Sequence, residues 1–117
     1  MAVEDELAAF IVETDLDDVP DRTVEFTKHL LAKTVVGTAA GSRTPSGEMI
    51  LEYVGGNAHD GSTRVLGTDV ETSPEDAALA MGYFSHAAEL EDDQFPVAAS
   101  DITVVPVVFA LADHLGL

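Results

Sequence analysis

The chain of 117 residues contains no cysteine. That excludes disulfide frameworks, thiolate metal sites and cysteine nucleophiles. Basic side chains are almost as scarce: 5 lysines and arginines stand against 22 aspartates and glutamates, a formal charge of −17. With no basic stripe to displace counterions, nucleic acid is a poor partner. The apolar stretches Thr34–Ala40 and Ile102–Ala112 are too short to span a bilayer, so no membrane partner is expected. The amino terminus, Met-Ala-Val-Glu-Asp-Glu, is acidic where a secretory signal is basic, which makes a cytoplasmic location the expectation. No serine stands in a nucleophile-elbow context, and no internal repeat or low-complexity segment is present.

What is present suffices for a core. The apolar share is 46%, and a chain of this size is one domain or a piece of one, burying roughly two-thirds of its unfolded surface. The acids are scattered along the whole sequence instead of forming a tail. That distribution suits a folded protein with an acidic surface, as in salt-adapted (halophilic) proteins, where screening relieves self-repulsion. The charge therefore reads as habitat, not mechanism.

Periodicity predicts a mainly helical chain. Glu4–Thr14 reads as a short amphipathic helix with Leu7, Phe10 and Ile11 on one side. After a loop ending at Pro20, placed where a first helical turn tolerates it, Asp21–Ala40 is the longest helix candidate. Val24, Leu31 and Val35 recur along it, and Gly41 supplies a stop. Its second half, Thr-Val-Val-Gly-Thr-Ala-Ala-Gly, is small enough to pack closely on another backbone. Ser46–Val54 is a further short helix; Met49, Tyr53, Tyr83 and Phe84 read as core. Gly55–Gly61 is a loop, and Thr63–Leu66 with Asp69–Thr72 form a small hairpin around Gly67-Thr68. Ser73 caps the next helix, with Pro74 at its first position and Asp76 in a box-like arrangement. Phe95–Ser100 is irregular. Ile102–Leu115 reads as a buried helix, with a strand as the alternative because of Pro106 and its valines. This last segment is apolar on every side and therefore needs neighbours on every side. Four other helices do not obviously supply them, which suggests an incomplete domain over 1–117 or one completed by another chain.

The residues that carry chemistry cluster after Ser73. On a continuous helix His86, Glu89 and Asp93 fall on one face, with Glu91 and Asp92 beside them. An imidazole among carboxylates is raw material for acid–base catalysis. Acids at a helix carboxyl end also oppose its dipole, by about 0.3–1 kcal/mol each when exposed. The bland alternative is a helix end in an unusually acidic protein. A metal site from His86, Glu89 and Asp93 has suitable donors, but the spacing matches no recognised ligand motif, so no metal is assigned. His59-Asp60 lies in a glycine-rich loop without the lysine or helix start of a phosphate cradle. His29 and His114 read as surface or packing residues.

Several segments together resemble the MmgE/PrpD family: Leu7-Ala-Ala-Phe-Ile11, Lys28 through Ser42, Thr63-Arg-Val-Leu-Gly-Thr68, Ser73 through Ala80 with Gly82 and His86-Ala87, and Val104 through Ala112. The resemblance covers nearly the whole chain. It implies the N-terminal part of a helical domain, all-α apart from at most a small hairpin near 63–72. It further implies a lyase of the 2-methylcitrate dehydratase type, working without a cofactor on small di- and tricarboxylic acids. The reactions implied are dehydration of 2-methylcitrate, decarboxylation of cis-aconitate and epimerisation of iminodisuccinate. Such enzymes are mostly homodimers, several times longer than this chain. By position the family's catalytic aspartate falls on Glu89, its following threonine on Asp93, the histidine of its His-Pro pair on Ala99 and an asparagine on Met81. Glu89, His86 and Asp93 are thus the catalytic candidates and Asp92 the substrate-binding one. Two carboxylates facing a polyanion would repel it. The expectation is therefore a truncated or degenerate lyase, inactive as an isolated chain. The alternative is a non-catalytic assembly module that completes its core with another chain or a second copy.

Overall fold

The computed structural model describes residues 2–56, 61, 63–94 and 98–117. Among these, five α-helices carry the fold: α1 (Val3–Glu13), α2 (Asp21–Gly41), α3 (Pro45–Gly56), α4 (Pro74–Ala87) and α5 (Asp101–Leu115). An antiparallel pair, β1 (Thr63–Arg64) with β2 (Glu71–Thr72), forms the hairpin expected within 63–72. A second pair, β3 (Asp93–Gln94) with β4 (Ala98–Ala99), was not expected from the sequence and lies partly in the segment read as irregular. The mainly all-α expectation holds. The glycine-rich loop at His59-Asp60 lies outside the described residues.

Helix ends follow local chemistry. Ser73 Oγ accepts the Asp76 N–H at 3.2 Å with Pro74 at the first helical position, the capping half of the expected box. Thr44 does the same for α3: its Oγ1 accepts from Gly47 N at 3.0 Å ahead of Pro45. Pro20 sits at the N-cap of α2, one residue before its first turn, while Leu16–Asp18 forms a single 3₁₀ turn.

The core is small and centres on α4. Val54, Val65, Ala77, Ala80, Met81, Phe84 and Ala110 are buried, with Ile50, Leu51, Leu66 and Val70 packed around them. Close approach of α2 to α4 depends on Gly41, where a Cβ would stand 1.8 Å from the Phe84 carbonyl oxygen. Beside it Thr38 and Ser85 hydroxyls meet at 2.7 Å; one donates to the other while the other donates to its own helix carbonyl, so both are satisfied although buried. The small-residue half of α2 thus packs as its sequence predicts.

α5 contains Pro106 in its interior, which removes the donor that would serve the Ile102 carbonyl. Gly82 of α4 packs over this point: a Cβ there would lie 3.3 Å from the Ile102 oxygen. Pro106 and Ala110 are the buried residues of α5. The remainder corrects the expectation of a buried helix, since Val104, Val107, Val108, Leu111 and Leu115 are exposed. A helix apolar all round meets α4 along only one side here.

Three further core assignments fail for the same reason. Met49, Tyr53 and Tyr83 are exposed, and only Phe84 of that group is buried. α1 forms as expected yet buries nothing, leaving Leu7, Phe10 and Ile11 in solvent. The accessible surface is 8233 Å², about a third above the roughly 6100 Å² expected for a compact protein of 12.3 kDa. The radius of gyration, 15.7 Å, likewise exceeds the roughly 13 Å of a compact domain of this length.

Candidate functional site

The helical face proposed from spacing does not form. α4 ends at Ala87, and Glu89 adopts φ +51° while its N–H bonds to the His86 carbonyl at 2.9 Å. A left-handed conformation is uncommon for a non-glycine residue and costs on the order of 1 kcal/mol or more. Asp93 lies past this turn, in β3. His86, Glu89 and Asp93 therefore do not share a helix face, because the chain reverses before reaching the second and third. Glu89 and Asp93 are both exposed.

The turn instead presents the residues between them. Glu91 Oε1 meets His86 Nδ1 at 2.8 Å, a pairing five residues apart that a continuous helix would not make. Glu91 is largely buried while His86 is open to solvent. With Nδ1 as donor, the carboxylate fixes the ring and leaves Nε2 as the acceptor, the geometry of an oriented general base.

Asp92 turns the other way, toward α2, and pairs with Lys33 Nζ. Lys33 also lies 3.7 Å from Asp101 Oδ2, at the start of α5. The same Asp101 oxygen accepts the Thr34 hydroxyl at 3.0 Å and the Asp92 N–H at 3.2 Å. Both Lys33 and Asp92 remain about a third exposed, so solvent limits their pair to about 1 kcal/mol or less. Glu91 Oε2, Asp92 Oδ2 and Asp101 Oδ1 are buried without a hydrogen-bond partner among the described residues. One lysine thus serves a strongly acidic cluster.

Sequence reasoning missed Lys33, Thr34, Glu91 as the histidine's partner, and Asp101. Lys33 carried a usable signal: it is one of only 5 basic residues and stands beside the buried small half of α2. Asp101 carried none, because its contacts bridge 9 residues to Asp92 and 67 to Thr34. Among the described residues no group of three or more histidines, aspartates and glutamates is arranged to hold a metal ion. No helix of the described residues is long and apolar enough to cross a membrane.

A second polar link lies away from this cluster. Asp113 of α5 accepts from Arg64 N at 2.8 Å and from its guanidinium at 3.0 Å, tying the hairpin to α5. The Arg64 backbone N–H, followed by its guanidinium, holds the Asp113 carboxyl below the ordinary carboxylate range.

A helical core with an acidic turn following Ser73–Ala87 is the arrangement on which comparison with known proteins bears. The MmgE/PrpD N-terminal domain matches residues 5–117, and the chain belongs to this family. It is similar to the cis-aconitate decarboxylase-like protein oryM of Aspergillus oryzae, 27% identical over 110 residues, covering 92% of this chain and 23% of that protein. It is also similar to the cis-aconitate decarboxylase of Aspergillus terreus, 29% identical over 102 residues, covering 86% of this chain and 21% of the relative. A second Aspergillus terreus sequence of the same name is 30% identical over the same length. The chain spans less than a quarter of the length of these relatives. No solved structure matches it significantly.

Proposed function

We propose that this chain is an N-terminal helical module of an MmgE/PrpD-type lyase acting on small di- or tricarboxylic acids, by decarboxylation as in its named relatives or by dehydration. The observation that carries this reading is the family match over residues 5–117, which includes the acidic turn after α4. In it Glu89, His86 and Asp93 handle protons, with Glu91 orienting the imidazole, and Asp92, paired with Lys33, is the substrate-binding residue. Proton transfer beside a carboxylate needs a placed base and a cation to hold the substrate's charge. Lys33 is the cation at the cluster, and it is already engaged by Asp92 and Asp101. The module is accordingly expected to bind an anion weakly and not to turn it over alone.

The test is titration of the purified chain with cis-aconitate and 2-methylcitrate, followed by NMR. Shifts confined to residues 86–93 and Lys33, with no loss of CO₂ or water from the ligands, are expected. Turnover by the isolated chain contradicts the inactive reading, and unchanged resonances at 86–93 contradict the site itself.

A second reading is favoured by the uncovered faces of α1 and α5. In it the module serves assembly, completing its core with a second copy or with other parts of the lyase. Exposed side chains such as Val107, Leu111, Phe10 and Ile11 would then be interface residues.

A further inference from the structure

We infer that Asp101 is a positioning residue for the acidic turn, holding it against α2 through the Asp92 amide, Lys33 and Thr34. Residues 88–92 leave α4 without regular structure, so something other than helix hydrogen bonds must fix them. Besides the Glu89 N–H bond to the His86 carbonyl, the turn makes three side-chain or amide attachments among the described residues. His86 binds Glu91 from the helix end just left behind, a local contact. The contacts of Asp92 with Lys33 and Asp101 are the ones that join the turn to distant elements.

Asp101 is suited to this role by its place and its partners. It opens α5, where a carboxylate is favoured by the helix dipole. Its Oδ2 accepts two hydrogen bonds from two directions, the Thr34 hydroxyl from α2 and the Asp92 N–H from the turn, with the Lys33 ammonium a looser ion pair at 3.7 Å. The Asp92 side chain returns to the same lysine, so α2, the turn and the start of α5 form one closed polar ring. Releasing Asp101 leaves the Asp92 amide without its acceptor and Lys33 with one carboxylate. The turn that carries Glu89 and Glu91 would then lose its amide tie to the start of α5. The ring is independent of which reaction the module serves, and its importance to a reacting group rests on the proposed lyase reading.

Amide hydrogen exchange on the whole chain tests this. Asp101→Ala should speed exchange at Asp92 by about tenfold or more, while Val54 and Phe84 in the core stay within about twofold. Asp101→Asn should restore most of the protection, because its carboxamide oxygen still accepts from Asp92 N–H and the Thr34 hydroxyl. Should Asp101→Ala fail to fold, Thr34→Val removes one member of the ring and should speed Asp92 exchange without moving the core. Unchanged exchange at Asp92, or an equal rise at Asp92, Val54 and Phe84, overturns the inference. Cis-aconitate is added to each variant in parallel. A turn that loosens as expected in a protein that binds no anion supports the ring and contradicts the lyase reading.

Discussion

The seam between α2 and α4 and the outer side of α5 meet opposite fates, and the less apolar of the two is the one that is buried. At the seam Gly41 lets the Phe84 backbone approach to a distance that any side chain would block, and Thr38 and Ser85 satisfy each other inside it. On α5 the apolar positions continue around the helix, but among the described residues only Pro106 and Ala110 are fully buried. The difference lies in neighbours, not in hydrophobicity. Small residues gather a partner helix closely, whereas the larger apolar residues on α5 and α1 present surface that the described residues leave exposed.

The comparison breaks most severely at the seam. Gly41→Val should cost about 3 kcal/mol or more, since overpacking against backbone has no cheap relaxation; Phe84→Ala should cost roughly 3–5 kcal/mol by opening a cavity. Urea denaturation midpoints measure both, and a loss below about 1 kcal/mol for either would deny that the seam is the core. Next in size is the entry to α4: Ser73→Ala should cost about 1 kcal/mol through the lost cap, read from the same curves. On the outer side of α5, Val107→Asp or Leu111→Asp should change the stability of the monomer, measured at concentrations too low for association, by only about 0.5 kcal/mol, as for exposed positions generally. A large loss there would mean that α5 is more enclosed than its exposure indicates.

The smallest effect is expected at the link between Arg64 and Asp113, both reached by water. Asp113 has a folded-state pKa below its unfolded value, so its contribution is present above the ordinary carboxylate pKa of roughly 3.9 and fades as pH falls through the folded value. The stability gap between the wild-type chain and Asp113→Asn should therefore exist at neutral pH and narrow on acidification. A gap that widens in acid would show the link to have the opposite sign.

Helix placement was legible because capping and stop signals are local: Ser73-Pro74 at the start of α4 and Gly41 at the end of α2 act within a turn. Burial was less so. Periodicity marks Met49, Tyr53 and the α1 stripe as apolar faces without saying whether anything packs on them. The site was half legible. His86 does pair with one of the acids after it, Glu91, but the helix was extended six residues too far, to Asp93. The left-handed Glu89 that ends it carries no glycine or asparagine to announce the reversal. Lys33 and Asp101 belong to the cluster only because α2 and α5 fold beside the turn, and contacts so distant in sequence leave no local trace.

Sedimentation velocity of the isolated chain in high salt, where charge repulsion is screened, tests most directly whether the bare sides of α1 and α5 are interfaces. The account predicts a species heavier than 12.3 kDa that reverts to the monomer when Val107→Asp and Leu111→Asp are combined. A single folded monomer at every concentration, unaffected by that double substitution, would contradict it.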